Sequence, residues 1–282
     1  MATPMSTAPS DRRDLDPEQA ASRIEELSSP WPRVTSRRVL TIVVLVGAVA
    51  WSVDGSGFSA AAFANGIPNI ADFLARMWPP DFSQMGRIIA LLIETLQMAI
   101  IGTLLGAAGS LLLAFAAADN IASRPVYLAA RFLLNVLRSI PELVFALIFV
   151  SAVGLGPFAG IMALALGSFG TVGKIYAEAI EAIDPKPVEA LQAVGANKAQ
   201  TVAFAMLPQA APLLTSYTLL LWEGNVRAAT ILGLVGAGGI GLELTTAMRM
   251  YDFGHLMAIV LSIVVMVTLI DRLSAYLRAR LT

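Results

Sequence analysis

The sequence predicts an all-α polytopic membrane protein with six transmembrane helices. Composition is the first reason: 57% of the 282 residues are apolar and 14% are charged, whereas a soluble domain needs about 25% charged residues to cover its surface. The mean hydropathy of +0.73 agrees. The second reason is that the apolar residues are gathered into runs long enough to cross a bilayer. The third is the placement of Lys and Arg. Arg33, Arg37, Arg38, Arg124, Arg131, Lys186, Lys198, Arg272, Arg278 and Arg280 fall on one side of such a topology, and Arg76, Arg87 and Arg249 on the other. The positive-inside bias then puts both termini in the cytoplasm.

Residues 1–33, rich in Pro, Ser and charge, read as a disordered cytoplasmic tail with a short surface helix over 16–27. Residues 34–282 read as the transmembrane domain. Arg33, Arg37 and Arg38 precede the first span, 38–54, an uncleaved helix rather than a secretory signal. Residues 56–80 read as an external loop, with one interfacial amphipathic helix over 69–78 and Trp78 at headgroup level. The second span, 85–118, carries a GxxxG face of Gly102 and Gly106, with Gly109 on the same side. The third, 125–153, is interrupted by Pro141 and ends in the turn Gly154-Leu155-Gly156-Pro157. The fourth, 157–181, presents Gly167, Gly170 and Gly173. The fifth and sixth cover 208–230 and 253–275. Between them, 233–241 is too short and glycine-rich to cross, and reads as a re-entrant or extended segment packed inside protein, with Gly236, Gly238, Gly239 and Gly241 allowing close approach at a gate.

Several function classes are excluded. There is no cysteine and a single histidine, His255, so disulfides, thiolate catalysis and Cys or His-cluster metal sites are ruled out, and His255 reads as an interfacial residue. Gly236 to Gly241 spells GxGxxG, but no acidic residue stands 20 positions on, where Leu261 lies inside a span. Gly167 to Ile175 misses the P-loop by one residue of spacing, and Ile175 offers no oxygen to magnesium. The chain thus has no visible means of binding ATP. Neither is nucleic acid a partner, because the two-helix stretch over 184–208 has only Lys186 and Lys198 as nearby cations.

Charges inside the spans are expensive, about 2.5–3.5 kcal/mol or more each against lipid. Counted along straight helices, Glu94 lies about 14 Å below the outer end of the second span. Arg138 and Glu142 lie about 20–27 Å up the third, and Glu223 and Arg227 about 22–28 Å up the fifth, in the middle or outer half of the bilayer. Glu223 and Arg227 stand four apart, in the favourable order for a helix pair. Ser139 and Asn225 add neutral donors beside the two arginines. Two readings follow: the charges lock helices together, or they line a translocation path for an oxyanion.

The stretch 184–208 is polar between two spans. Asp184 is placed to cap a short helix opened by Pro185 and Pro187, Gly195 to end it in a left-handed conformation, and Asn197 to cap the next. Within it, Glu189-Ala190, Gly195 and Leu207-Pro208 resemble the signature EAA-x3-G-x9-I-x-LP of permease subunits of bacterial ABC importers, with Leu191 and Ala205 departing from it. Further strings resemble the phosphonate permease subfamily. These are Pro79-Pro80-Asp81-Phe82, Val153 to Gly160, Glu189 to Asn197, and Asn225-Val226-Arg227 followed by Val235 to Gly241.

The resemblance implies the type I importer fold, in the bacterial inner membrane, working by alternating access. It implies two copies of this chain, two cytoplasmic ATPase subunits that bind ATP and Mg, and an extracytoplasmic binding protein. No cofactor is implied in this chain. The loop 184–208 becomes a coupling helix docked on the ATPase, with Glu189, Ala190, Gly195, Ala196, Asn197, Leu207 and Pro208 as its key positions. The implied cargo is phosphonate, phosphate or phosphite. Import of another small solute, such as methionine or a polyamine, is the alternative.

Overall fold

The computed structural model describes residues 36–280; the expected cytoplasmic tail and the helix over 16–27 lie outside the described residues. Contacts divide the chain into two units near Asn69. The first carries helix α1 (Ser36–Ser56) and most of α2 (Ala60–Arg76). The second carries α3 (Met85–Ala117), α4 (Arg124–Ser139), α5 (Glu142–Val153), α6 (Pro157–Glu181), α7 (Pro185–Ala193), α8 (Lys198–Thr201), α9 (Leu207–Leu232), α10 (Ile240–Arg249) and α11 (Phe253–Arg278). Among the described residues there is no strand. Five helical stretches are long and apolar enough to cross a membrane, or six if the bent pair α4–α5 is one span.

The bundle is inside-out in residue size. Small residues on α3 face α6: a Cβ on Gly102 would sit 2.8 Å from Leu164 Cβ, and one on Gly106 2.7 Å from Ser168 Cβ. The large residues Leu104, Leu112 and Val265 point outward, 59%, 73% and 59% exposed. Lipid solvates leucine as well as another leucine does, so close backbone approach drives helix association here. The pairs 102 with 164 and 106 with 168 run in the same direction, so α3 and α6 are parallel. The opposite face of α6 takes the preceding span antiparallel. Gly173 faces Leu134, Gly170 packs on the backbone at Arg138, and Gly167 faces Glu142. Three buried clusters stack along the bundle, around Leu134, Tyr176 and Ile180, around Leu164, Val226 and Leu232, and around Ile88, Ile240 and Ile259.

Four features differ from the sequence expectation. The third span is not straight: α4 and α5 meet at 85° across Ile140 and Pro141. Pro141 supplies no N–H to a continuing helix and holds extended backbone at φ −60°, ψ 142°. The loop helix α2 starts at Ala60 and carries Pro68 inside it. Residues 233–241 are buried for the most part but are not extended: Gly233–Val235 is a 3-10 turn, Gly236, Gly238 and Gly239 are left-handed, and Gly241 already belongs to α10. Nor does the fifth span begin at Pro208. Lys198 to Leu232 is continuously helical, because a π turn over Val202–Met206 precedes the proline and Leu207 N–H donates to Val202 O.

Candidate functional site

The stretch 184–208 folds as its capping residues dictate. Asp184 accepts from Lys186 N–H at 3.0 Å and opens α7. Gly195, at φ +87°, closes it, with Gly195 N–H on Gln192 O at 3.0 Å and Ala196 N–H on Leu191 O at 3.1 Å. These are the two hydrogen bonds of a Schellman motif. Asn197 and Gln200 form a capping box at α8, each side chain bonding the other's backbone N–H at 2.9 Å. Glu189, Ala190, Asn197 and Pro208 are exposed, while Ala196 and Leu207 are half-buried. Val194 is 81% exposed at the end of α7.

The loop is tied to the bundle by residues that the sequence does not single out. Asp184 N–H donates to Gln209 Oε1 at 3.2 Å, and Gln209 Nε2 donates to Ala205 O at 2.8 Å. Beside it, Arg131 donates bidentately to Glu181 at 2.8 and 2.9 Å, and its Nε donates to Ala117 O at 2.9 Å. That corner pins the C-terminal ends of α3 and α6 to α4. The only available sequence signals were Gln209 directly after Leu-Pro and Arg131 inside an apolar run.

The span charges fall into two groups. Glu94 stands apart: its Oε1 accepts from Gly239 N–H at 2.9 Å, next to Thr95, whose hydroxyl accepts from Ile240 N–H at 2.9 Å. These side chains satisfy N–H groups at the start of α10 that would otherwise be unpaired. Arg138, Ser139, Glu142, Glu223, Asn225 and Arg227 gather in one layer. Asn225 is 1% exposed and donates to Thr103 Oγ1 at 2.9 Å, with Ser168 Oγ at 3.5 Å. Glu142 and Asn225 line a cavity of about 240 Å³ between α6 and α9, with Thr171 and Tyr217.

Within this layer two expectations are corrected. Glu223 and Arg227 are not paired with each other. Arg227 Nη1 meets Asp271 Oδ1 at 2.8 Å, and Glu223 Oε1 meets Arg278 Nη1 at 2.7 Å. Across the helix boundary, α11 offers each a partner on its own side, so the intrahelical pair is not needed. Asp271 and Arg278 lie in the C-terminal third of α11. Asn225 also faces the core of the chain rather than the arginines. Arg138 differs from Arg227: it is exposed and, among the described residues, has no carboxylate partner.

At the opposite end, the sequence missed a second buried cluster. His255, in the first turn of α11, is 3% exposed, and its Nε2 lies 3.2 Å from Glu243 Oε1, while Glu243 Oε2 pairs with Arg87 at 2.7 Å. This joins α10, α11 and α3. Nearby, Asp81 accepts from Ser83 N–H and hydroxyl at 2.8 and 3.0 Å, chiefly the former holding its carboxyl below the ordinary value.

Comparison with known proteins matches residues 109–282 to the family described as the binding-protein-dependent transport system inner membrane component. The chain is 48% identical over 220 residues to the phosphite transport system permease protein PtxC of Stutzerimonas stutzeri, covering 78% of this chain and 80% of that protein. It is 42% identical over 223 residues to the phosphate-import permease protein PhnE of Mycolicibacterium smegmatis, covering 78% of this chain and 42% of that one. Among solved structures, an inward-facing conformation of the MetNI methionine ABC transporter superposes with a TM-score of 0.62 at 22% identity, over 72% of this chain and 99% of that chain. The fold is that of the type I ABC importer permeases. With a family match over more than half its length, this chain belongs to the binding-protein-dependent transport system inner membrane components.

Proposed function

We propose that the chain is the membrane-spanning subunit of an ATP-driven importer of phosphonate or a related phosphorus oxyanion, phosphate or phosphite. Two copies form the path in the bacterial plasma membrane, with both termini in the cytoplasm. Two ATPase subunits bind ATP and Mg below, and an extracytoplasmic protein delivers the anion above. The names of the relatives support the cargo class. The single observation that carries the reading is Arg138. It is an exposed guanidinium with no carboxylate partner among the described residues, beside Ser139, at a helix break within a membrane bundle. A guanidinium suits the planar, multidentate recognition of an oxyanion, whereas the Arg227 charge is already met by Asp271. Glu142, close behind, keeps capture weak enough for release.

Work enters through the loop 184–208. ATP binding closes the ATPase pair and draws Glu189, Ala190 and Gly195 with it. Gln209 and the continuous helix from Lys198 to Leu232 pass the displacement to Gly233 and the glycine segment. Gly236, Gly238, Gly239 and Gly241 pack where the path shuts toward the outside. Direction comes from the different stability of the inward and outward states with and without nucleotide.

The test is uptake of phosphite, phosphate and methylphosphonate by reconstituted complexes carrying Arg138→Gln or Arg227→Gln. Arg138→Gln abolishes uptake in complexes that assemble normally, and Arg227→Gln acts mainly through stability. Normal uptake by an assembled Arg138→Gln complex overturns the role of Arg138. Competition by methionine or a polyamine, without competition by the oxyanions, overturns the cargo class.

A further inference from the structure

The cavity of about 240 Å³ between α6 and α9 has room for a tetrahedral oxyanion with water around it. Part of its polar lining is already committed. Asn225 Nδ2 donates to Thr103 Oγ1 at 2.9 Å, and the Ser168 hydroxyl donates to Leu164 O at 2.6 Å. Glu142, Thr171 and Tyr217 line the same space. Thr171 is exposed, and Glu142 and Tyr217 are half-buried. The Glu142 carboxylate and the two hydroxyls have no hydrogen-bond or ion-pair partner among the described residues. The carboxylate fits here because residue 167 is glycine: a Cβ there would lie 2.5 Å from Glu142 Cγ.

Cations stand beside this wall. The Arg138 backbone packs on Gly170, next to Thr171, and Lys174 follows Thr171 by about one helical turn. Neither cation has a carboxylate partner among the described residues. Arginine and lysine donate only, and hydroxyls donate readily, whereas an ionised glutamate only accepts. A site for an anion without protons has no use for that glutamate, which faces the anion's oxygens and repels them. An anion that carries a proton of its own satisfies the whole set. Its bare oxygens take the donors, and its O–H goes to Glu142.

We infer that this cavity binds a hydrogen-bearing phosphorus oxyanion, and that Glu142 determines its specificity by accepting the P–OH hydrogen bond. The inference rests on the cargo class proposed above and sharpens it. Phosphate keeps an O–H as monoanion and as dianion, while phosphite and alkylphosphonates carry one only as monoanions. Sulfate has the same tetrahedral shape but no proton at neutral pH, so it meets Glu142 oxygen to oxygen. The repulsive element excludes the wrong anion, and the same carboxylate rewards the right one.

The probes are inorganic phosphate and sulfate at mildly alkaline pH, where both are dianions of like shape that differ by one proton. Equilibrium dialysis of the purified permease–ATPase complex, without the binding protein, measures each as a radiolabelled anion. The wild type prefers phosphate by about 10-fold or more, the effect of one unmet hydrogen-bonding group. Glu142→Gln, whose amide both donates and accepts, loses the preference, chiefly by binding sulfate better. Tyr217→Phe weakens phosphate binding and keeps the preference. Equal binding of the two anions by the wild type, or binding of neither, overturns the inference. So does a preference undiminished in Glu142→Gln, or wild-type phosphate affinity in Tyr217→Phe. Absence of phosphate, phosphite and methylphosphonate uptake by the complete wild-type importer, binding protein included, overturns the cargo reading instead.

Discussion

Gln209 and Asp184 hold each other twice: Asp184 N–H donates to Gln209 Oε1 at 3.2 Å, and Gln209 Nε2 donates to Asp184 O at 3.4 Å. One side chain, directly after Leu207-Pro208, thus fastens the first residue of the 184–208 loop to the helix that leaves it. The loop is a closed staple rather than a flexible link, and a pull on α7 is felt by α9.

Gln209→Ala removes the fastening without touching the loop's outer surface. Two such bonds are worth about 0.5–1.5 kcal/mol each, too little to unfold the bundle and enough to slacken the staple. Uptake falls several-fold while the complex keeps its ATPase activity, measured together in proteoliposomes. Equal loss of both activities points to misassembly and counts against the staple.

Gly195 separates conformation from contact. Its φ is +87°, and a Cβ there would meet nothing within 4 Å. The constraint is backbone shape alone, about 1–2 kcal/mol for an ordinary residue and less for Asn. Gly195→Val uncouples ATP hydrolysis from uptake, and Gly195→Asn retains most coupling. If both variants fail alike, the left-handed elbow is not what matters.

Glu94 gives a choice between charge and cap. Glu94→Gln keeps an acceptor for Gly239 N–H, so uptake stays close to wild type, whereas Glu94→Ala strands a half-buried donor at about 1–3 kcal/mol and loosens the glycine segment. A Gln variant as defective as Ala would show that the negative charge serves transport directly.

Arg131→Gln strips the corner joining α3, α4 and α6. Its side chain is 18% exposed and that of Glu181 27% exposed, so solvent screens the pair only in part. A hydrogen bond to a charged group contributes about 1.5–3 kcal/mol. The thermal midpoint of the detergent-solubilised protein falls by several degrees; an unchanged midpoint would assign the corner no stabilising role.

What could be read from the sequence was local chemistry. Asp184, Gly195 and Asn197 act on backbone groups within four residues, so their caps appear as the sequence implies. The glycine faces of α3 and α6 were legible for the same reason, because spacing alone puts them on one side of a helix. Partners across the bundle were not legible. Arg227 and Glu223 looked like a pair at helical spacing, and only the antiparallel approach of α11 offers Asp271 and Arg278 instead. Pro141 was visible, but a proline in an apolar run is equally consistent with a mild kink. The 85° bend arises because α6 supplies Gly167 and Gly170 where Glu142 and Arg138 must approach. Glu243 and His255 lie 12 residues apart on different helices, so nothing local announces them.

The π turn over Val202–Met206 has a further consequence, one of angular phase. A π turn closes on the fifth residue where an α turn closes on the fourth, so the extra residue is absorbed within one turn. Deleting Ala203 would let the α-register run straight through and leave α7, α8 and Gly195 facing nearly the same way against α9. Deleting a residue from the regular helix after Leu207 would instead turn them by about 100°. The π turn thus lets the stretch from Gly195 to Leu207-Pro208 carry one more residue at an unchanged azimuth.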